Sequence, residues 1–346
     1  MGSSDARSHE QARHGSDGRV ALRAVASGLV RPECVVAHRS GLLFTADWQG
    51  EGGVAVVALD GAVRRISPKG WHETLRPNGI ALESGGTFLL THLGSETGGV
   101  FRMDASGNVA PVVTHVAGEK LPPTNFVAAD PEGGLWITVS TRVVPRADDY
   151  RSTASSGFVV RADRSGVRIA ADGLGYANEC LLSQDGRFLY VNETFARRLT
   201  RFRVGANGTL GERTVLARFG AGTFPDGLAL DVEGGLWIVS IVSNRVLRMD
   251  ADGRIETIVE DGDAAHVAEV EAAYLAHRMG RPHLDRAAGR SLRNVSSLAF
   301  GGADLSTAYL GCLLGDTLFA FRSPVRGAAP LHWNYPLGPL AEVFCT

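Results

Sequence analysis

Between residues 224 and 258 the chain alternates short apolar runs with turns at a steady rhythm. Residues 227–231 (GLALD) alternate apolar and small side chains, 232–235 (VEGG) read as a turn, and 236–240 (LWIVS) form a near-continuous apolar run. Such a run suits a strand buried on both faces. After a polar loop at Ser243 and Asn244, residues 245–249 (RVLRM) and 254–258 (RIETI) alternate again, with DADG between them. Short alternating segments punctuated by Gly and Asp turns predict a meander of antiparallel strands. One meander cannot cover both of its own faces.

The layout recurs around residues 31–46, 77–91, 124–138, 177–191 and 295–311. Glu33, Asn78, Asn125, Asn178, Asp226 and Ser296 fall at equivalent places, about 45 to 53 residues apart, except for a last interval of about 70. Four strands per repeat at this period predict an all-β, six-bladed β-propeller. Residues 20–29 are expected to supply a strand that closes the ring. Blade four is read from Asn178 to about residue 208.

The long last interval predicts a helical insertion before the last blade, at about 263–288. Val267, Val270, Tyr274 and His277 or Arg278 recur at helical spacing, with Asp263 as N-cap and Gly280 as C-cap. It reads as a lid over one end of the propeller or as a packed buttress. A second long loop, 139–156, carries Arg142, Arg146, Asp148, Asp149 and Tyr150, which could line a pocket mouth.

Composition changes the picture little. The repeat argues for one domain over 19–346, with 1–18 as a disordered tail that lacks the apolar core of a secretory signal. A net charge of −2 with no basic stripe argues against nucleic acid or an anionic membrane as partner. Cys34, Cys180, Cys312 and Cys345 form no C-x-x-C pair, as expected of a reduced, cytoplasmic chain. Monomer and homodimer both remain open.

The first strand of each propeller blade lines the central channel, so residues at its start gather at one end. Five of six blades offer a carboxylate or carboxamide there: Glu33, Asn78, Asn125, Asn178 and Asp226; the sixth offers Ser296 or Ser297. Hard oxygen donors are what Ca²⁺ or Mg²⁺ requires. Mn²⁺ and Zn²⁺ are also accommodated, with no His or Cys set to demand them. The alternative is that short polar residues merely cap each strand; this explains isolated Asn-Gly pairs better than a repeat of acids and amides. Glu179 reads as a strand-edge salt-bridge residue, or as a group sharing proton transfer. Cys34 and Cys180 read as buried small hydrophobes. His277 and His283 read as surface residues, or as acids reaching the site from the insert. His72-Glu73 lacks the second histidine of a zinc-protease motif, and no Gly-x-Ser-x-Gly elbow occurs.

Arg31-Pro-Glu33, Asn125 at its blade start, Ala177-Asn178 and above all 224–237 (FPDGLALDVEGGLW) resemble the senescence marker protein/gluconolactonase/luciferin-regenerating enzyme family. The resemblance runs from about residue 20 to 322. It implies a six-bladed propeller holding one divalent cation, calcium first, and hydrolysing a small-molecule lactone or related ester. Glu33, Asn178 and Asp226 match the family's metal ligands, and Asp226 also matches its proposed general base. Asn125 matches a substrate-contacting or fourth metal-facing asparagine, and Asn78 is taken as substrate-facing. One position departs: sugar lactonases of the family place an Arg two residues before the substrate asparagine, where this chain has Pro123. A pocket rebuilt for something other than a sugar lactone is expected. Two rival expectations are a non-hydrolytic propeller enzyme of a biosynthetic pathway and a non-catalytic binding propeller with a structural cation.

Overall fold

Each expected meander is a four-stranded antiparallel sheet in the computed structural model, which describes residues 20–71 and 73–344. The 1–18 tail, His72 and Cys345 lie outside the described residues. Innermost strand first, blade one is Val35–Ala37, Leu43–Asp47, Gly53–Val57 and Val63–Ile66; blade two is Pro77–Glu83, Thr87–Leu93, Gly98–Met103 and Val109–Val113. Blade three is Phe126–Ala129, Leu135–Val139, Gly157–Asp163 and Gly166–Leu174; blade four is Ala177–Leu182, Phe188–Glu193, Arg198–Val204 and Leu210–Arg218. Blade five is Thr223–Leu230, Leu236–Val242, Arg245–Met249 and Ile255–Glu260. Blade six is Val295–Gly301, Thr307–Cys312 and Leu318–Arg322, completed by Arg23–Ala26 from the start of the chain. Arg23 pairs with Ala320 and Ala24 with Phe319, so the ring closes as its sequence suggested.

The core lies between blades. Leu236–Val242 is buried along its whole length, the outcome expected of an unbroken apolar strand. Trp237 meets Phe300 of blade six edge-on at 5.2 Å, and Phe44 of blade one meets Phe88 of blade two at the same distance. Aromatic rings of this size contribute the most to such layers, about 1.5–3 kcal/mol each on burial.

Two sequence boundaries are corrected. Blade four continues beyond residue 208 with Leu210–Arg218 as its outer strand. Two register slips against Arg198–Val204 break its alternation, which hides it from a period-two reading. Helix α1, Ala264–Leu275, begins as expected, with Asp263 accepting hydrogen bonds from Ala265 N and His266 N, but it ends five residues before Gly280. His277 takes the left-handed conformation (φ 54°), His277 N donates to Tyr274 O, and Arg278 N donates to Ala273 O. This is a Schellman stop with histidine where glycine is usual. A short helix α2, Arg281–Asp285, follows. Among the described residues no helix is long and apolar enough to cross a membrane.

Candidate functional site

The innermost strands enter the channel through kinks. In blades two, four, five and six the ladder to the second strand slips between Pro77 and Ile80, Ala177 and Cys180, Pro225 and Leu228, and Val295 and Ser297. Asn78, Asn178, Asp226 and Ser296 lie inside these slips. A bulge takes its extra residue out of the pairing and re-aims the side chain. Glu33 and Asn125 come just before their strands instead, with Asn125 N donating to Thr138 O at 2.9 Å. Arg31, Tyr176 and Asn294, each two residues ahead of the blade's site position, have φ of 55°, 71° and 65°. Non-glycine residues adopt that region only where their surroundings impose it.

Neighbouring blades lock the kinks with buried polar groups. The Thr91 hydroxyl accepts from Gly79 N (2.8 Å) and donates to Asn125 O (2.8 Å). Asn192 Nδ2 donates to Asp226 O (2.9 Å), and Thr194 Oγ1 accepts from Asn178 Nδ2 (3.0 Å) while donating to Pro225 O (2.8 Å). The glycines after Asn78 and Asp226 answer to crowding. A Cβ on Gly227 would lie 2.6 Å from Ser296 O, and one on Gly79 would lie 2.8 Å from Phe126 Cα.

Glu33, Asn78, Asn125, Asn178 and Asp226 all line one cavity of about 260 Å³ at the end of the channel. Ser296 and Ser297 are not among its lining residues; Ser296 Oγ donates to Glu33 O (3.1 Å), and Ser297 Oγ accepts from Val35 N (3.1 Å). Asn125 and Asn178 each use the amide nitrogen within the protein, on Ser140 Oγ and Thr194 Oγ1, both at 3.0 Å. Their Oδ1 atoms are buried without a hydrogen-bond partner. Leaving an acceptor so placed costs about 1–3 kcal/mol. Two such oxygens beside the Glu33 and Asp226 carboxylates fit a hard divalent cation. Among the described residues His, Cys, Asp and Glu alone make no group of three, so a cation here would need those amides. Asn78 differs, because its Oδ1 accepts from Arg31 Nη2 (3.3 Å) and its Nδ2 donates to Asn125 O (3.1 Å).

The charges are crowded. Burial first, then Glu33 and Glu179, push the Asp226 carboxyl well above its usual range, while Arg31 and Arg146 act the other way. Glu179 is no strand-edge salt-bridge residue: it is buried in the channel, and Oε2 accepts from Leu228 N at 2.9 Å. Burial, with Glu33 adding, pushes its carboxyl up to about 8. Arg31 folds back onto Glu33 (2.7 Å) and stacks over Trp48 at 4.5 Å. Cys34 and Cys180 are buried, and burial raises both thiols, as befits packing groups.

Both insertions contribute cavity wall. Of the loop residues named above, Arg146 and Tyr150 line it. Arg142 instead binds Asp172 at 2.8 and 2.9 Å, Asp149 accepts from Thr141 Oγ1 at 2.6 Å, and Asp148 is exposed. From the helical insert, Arg281 and Leu284 reach the cavity. His277 is exposed, His283 Nδ1 accepts from Gly280 N (3.1 Å), and neither is among the lining residues. The insert is pinned rather than loosely laid on. Glu271 of α1 takes two bonds from Arg197 (3.0 and 2.6 Å) and one from Gly222 N (2.9 Å), and Tyr274 Oη donates to Phe195 O (2.5 Å). Phe195 in turn stacks on Tyr150 at 4.5 Å, joining the two insertions. Pro123 is not among the lining residues; the guanidinium groups come from Arg31, Arg146 and Arg281. Sequence reading left Arg31, Trp48 and Thr194 unassigned. Only Arg31 carried a signal, its place two residues before Glu33.

Residues 31–271 match the SMP-30/Gluconolactonase/LRE-like region. Lactonase drp35 of Staphylococcus saprophyticus is 27% identical over 195 residues, which are 51% of this chain and 54% of the relative. The match thus spans about half the length of that relative. Among solved structures, the gluconolactonase XC5397 of Xanthomonas campestris superposes with a TM-score of 0.64 at 21% identity, covering 89% of this chain and 91% of that one. The calcium-binding protein regucalcin of Agrobacterium tumefaciens gives 0.61 at 16% identity, covering 90% and 96%. These two likenesses speak for the fold. The chain belongs to the SMP-30/gluconolactonase/LRE-like family.

Proposed function

We propose that this protein is a divalent-cation-dependent hydrolase of a lactone or related ester, with Glu33, Asn178 and Asp226 as cation ligands. The observation that carries the reading is the unpartnered, buried amide oxygen of Asn178 in one cavity with two carboxylates, beside the free Asn125 oxygen that is left for the substrate. The relative drp35, named a lactonase, supports the reaction class. Calcium is the first choice of cation, since carboxylate and amide oxygens form a hard donor set; Mg²⁺, Mn²⁺ and Zn²⁺ are the comparisons.

A bound cation supplies electrostatic polarisation of the ester carbonyl. The chain's own part is positional and protonic. Asp226 accepts a proton from the attacking water, whose oxygen adds to the acyl carbon; the ring C–O bond then breaks, and the departing oxygen takes up a proton to give a hydroxy acid. Asn125 faces the substrate with its free Oδ1, and Asn78 holds Arg31 and the Asn125 backbone in place. Trp48, Tyr150, Tyr176 and Phe195 narrow the cavity around the substrate. The buried cysteines suit a reducing compartment such as the cytoplasm.

Chelated protein should lose turnover on a panel of lactones and regain it with one cation. The same cation at a hundredfold excess over its Kd should add about 2.7 kcal/mol. For a chain of this size that is about 4 °C in Tm. Asn178→Ala and Asp226→Ala should abolish both effects. A cation shift without turnover of any lactone would leave a binding propeller and sink the hydrolase; full activity after chelation would sink the cation.

A further inference from the structure

The guanidinium groups around the cavity differ in one respect. Arg31 is paired with Glu33 at 2.7 Å, and Arg281 with Asp285 at 2.6 Å. Arg146 has no carboxylate partner among the described residues. Its Nη2 donates to Ser140 Oγ (3.1 Å), its guanidinium lies 5.5 Å from the Tyr176 ring centroid, and its Nε is buried without a hydrogen-bond partner. Burial disfavours an enclosed cation unless nearby charge offsets it; here that charge comes from Glu33 across the cavity, with no carboxylate among the described residues at ion-pair distance from Arg146.

The charge count points the same way. A divalent cation on Glu33 and Asp226 cancels the carboxylates whose charge acts on Arg146 across the cavity, and Arg31 and Arg146 then remain as excess positive charge. Ser140 Oγ accepts from both Arg146 and Asn125 Nδ2. The unpaired guanidinium is therefore tied to the asparagine whose free Oδ1 faces the substrate.

We infer that the cavity takes a ligand carrying a carboxylate, with Arg146 as its partner. On the hydrolase reading, upon which this substrate class rests, the substrate is an acidic lactone: one that bears a carboxylate besides the ring ester. The carboxylate sits at the wall built by the 139–156 loop, and the ester faces Asp226.

The test compares a γ-butyrolactone bearing a ring carboxylate with its primary amide. The wild-type protein should prefer the acid by about 10- to 100-fold in kcat/KM, the range of a charge-assisted bidentate contact. Arg146→Met should bring that ratio close to one, chiefly through KM, and Arg146→Lys should retain part of it; melting curves for both variants check that they fold. A ratio near one in the wild type, or an unchanged ratio in Arg146→Met, overturns the assignment. Calorimetry with the ring-opened hydroxy diacid separates this inference from the hydrolase reading. If no lactone turns over yet the diacid binds and Arg146→Met weakens it at least tenfold, the carboxylate site stands and the hydrolase falls. If lactones turn over but the diacid binds equally to both proteins, the hydrolase stands and Arg146 has no such role.

Discussion

Replacing Glu271 by alanine tests whether the helical insert is structurally part of the propeller. Glu271 sits on α1, and its carboxylate takes Arg197 Nη1 and Nη2 at 3.0 and 2.6 Å and Gly222 N at 2.9 Å. Arg197 is buried, with its guanidinium 4.2 Å from the Phe224 ring centroid and 3.8 Å from that of Tyr274. It cannot turn to solvent without emptying that slot. Removing the acid strands a buried cation, an event that costs about 3–5 kcal/mol when burial is complete. Glu271 itself is 19% exposed at the side chain, so water can reach the gap and about 2–4 kcal/mol is expected. At a melting entropy of about 0.7 kcal/mol/K for this length, Tm should fall by about 3–6 °C. Hydrogen exchange should quicken across α1 and α2 while the blade strands keep their protection. Glu269→Ala is the control. Its bond to Arg286 (2.6 Å) lies on the surface, with both side chains about half exposed, and its loss should move Tm by less than about 1 °C. Equal melting of Glu271→Ala and Glu269→Ala would refute the reasoning and leave the insert as a loosely attached cover.

Two further predictions concern stability. Burial above all holds His332 at about 4, with its Nε2 3.2 Å from Ala37 O. An unfolded chain protonates this ring near 6.5, so the unfolded state binds the proton first and stability should decline as pH falls from about 6.5 to about 4, by about 2–3 kcal/mol. His332→Gln should flatten that part of a pH-dependent denaturation series; an unchanged slope would show that other groups govern it. Gly227→Ala should lower Tm by about 2–4 °C, because its Cβ would press on backbone atoms of Ser296 and Ser297 in the next blade. Gly211→Ala, whose Cβ would meet nothing within 4 Å, should leave the melt unchanged, and similar melts for the two would remove the crowding argument.

The ring of innermost strands could be read from the sequence because one physical demand is repeated in every blade. At the channel mouth a short polar residue must leave the ladder, and where the next blade comes too close a glycine must follow it, as at Asn78-Gly79 and Asp226-Gly227. These demands leave a mark at a fixed spacing. What the spacing cannot carry is the direction of a side chain one residue along. Glu179 looks like any acid near a strand edge, yet it is buried in the channel, where the corresponding positions in blades two and five, Gly79 and Gly227, have no room for a side chain. The wall was harder still, because its placement comes from contacts distant in sequence: Arg142 with Asp172 fixes one insertion, and Arg197 with Glu271 fixes the other. Nothing in the composition of residues 139–156 separates Arg146, which lines the cavity, from Arg142, which anchors the loop.

The pairing of Arg23–Ala26 with Leu318–Arg322 has a consequence for biogenesis. A chain made from its N-terminus exposes the clasp strand first and must hold it unpaired until the last blade emerges. At about 5–20 residues per second that interval is on the order of 15 to 60 seconds. Through that time the polypeptide is an open crescent whose end blades present uncovered apolar faces, and Arg23–Ala26 is an unpaired strand open to pairing with another nascent chain. Ser296 Oγ bonds the Glu33 carbonyl between blades six and one, so an unclosed ring also leaves Glu33 without this tether. Truncation before residue 318 removes the partner of Arg23–Ala26 and should lower Tm relative to the full sequence.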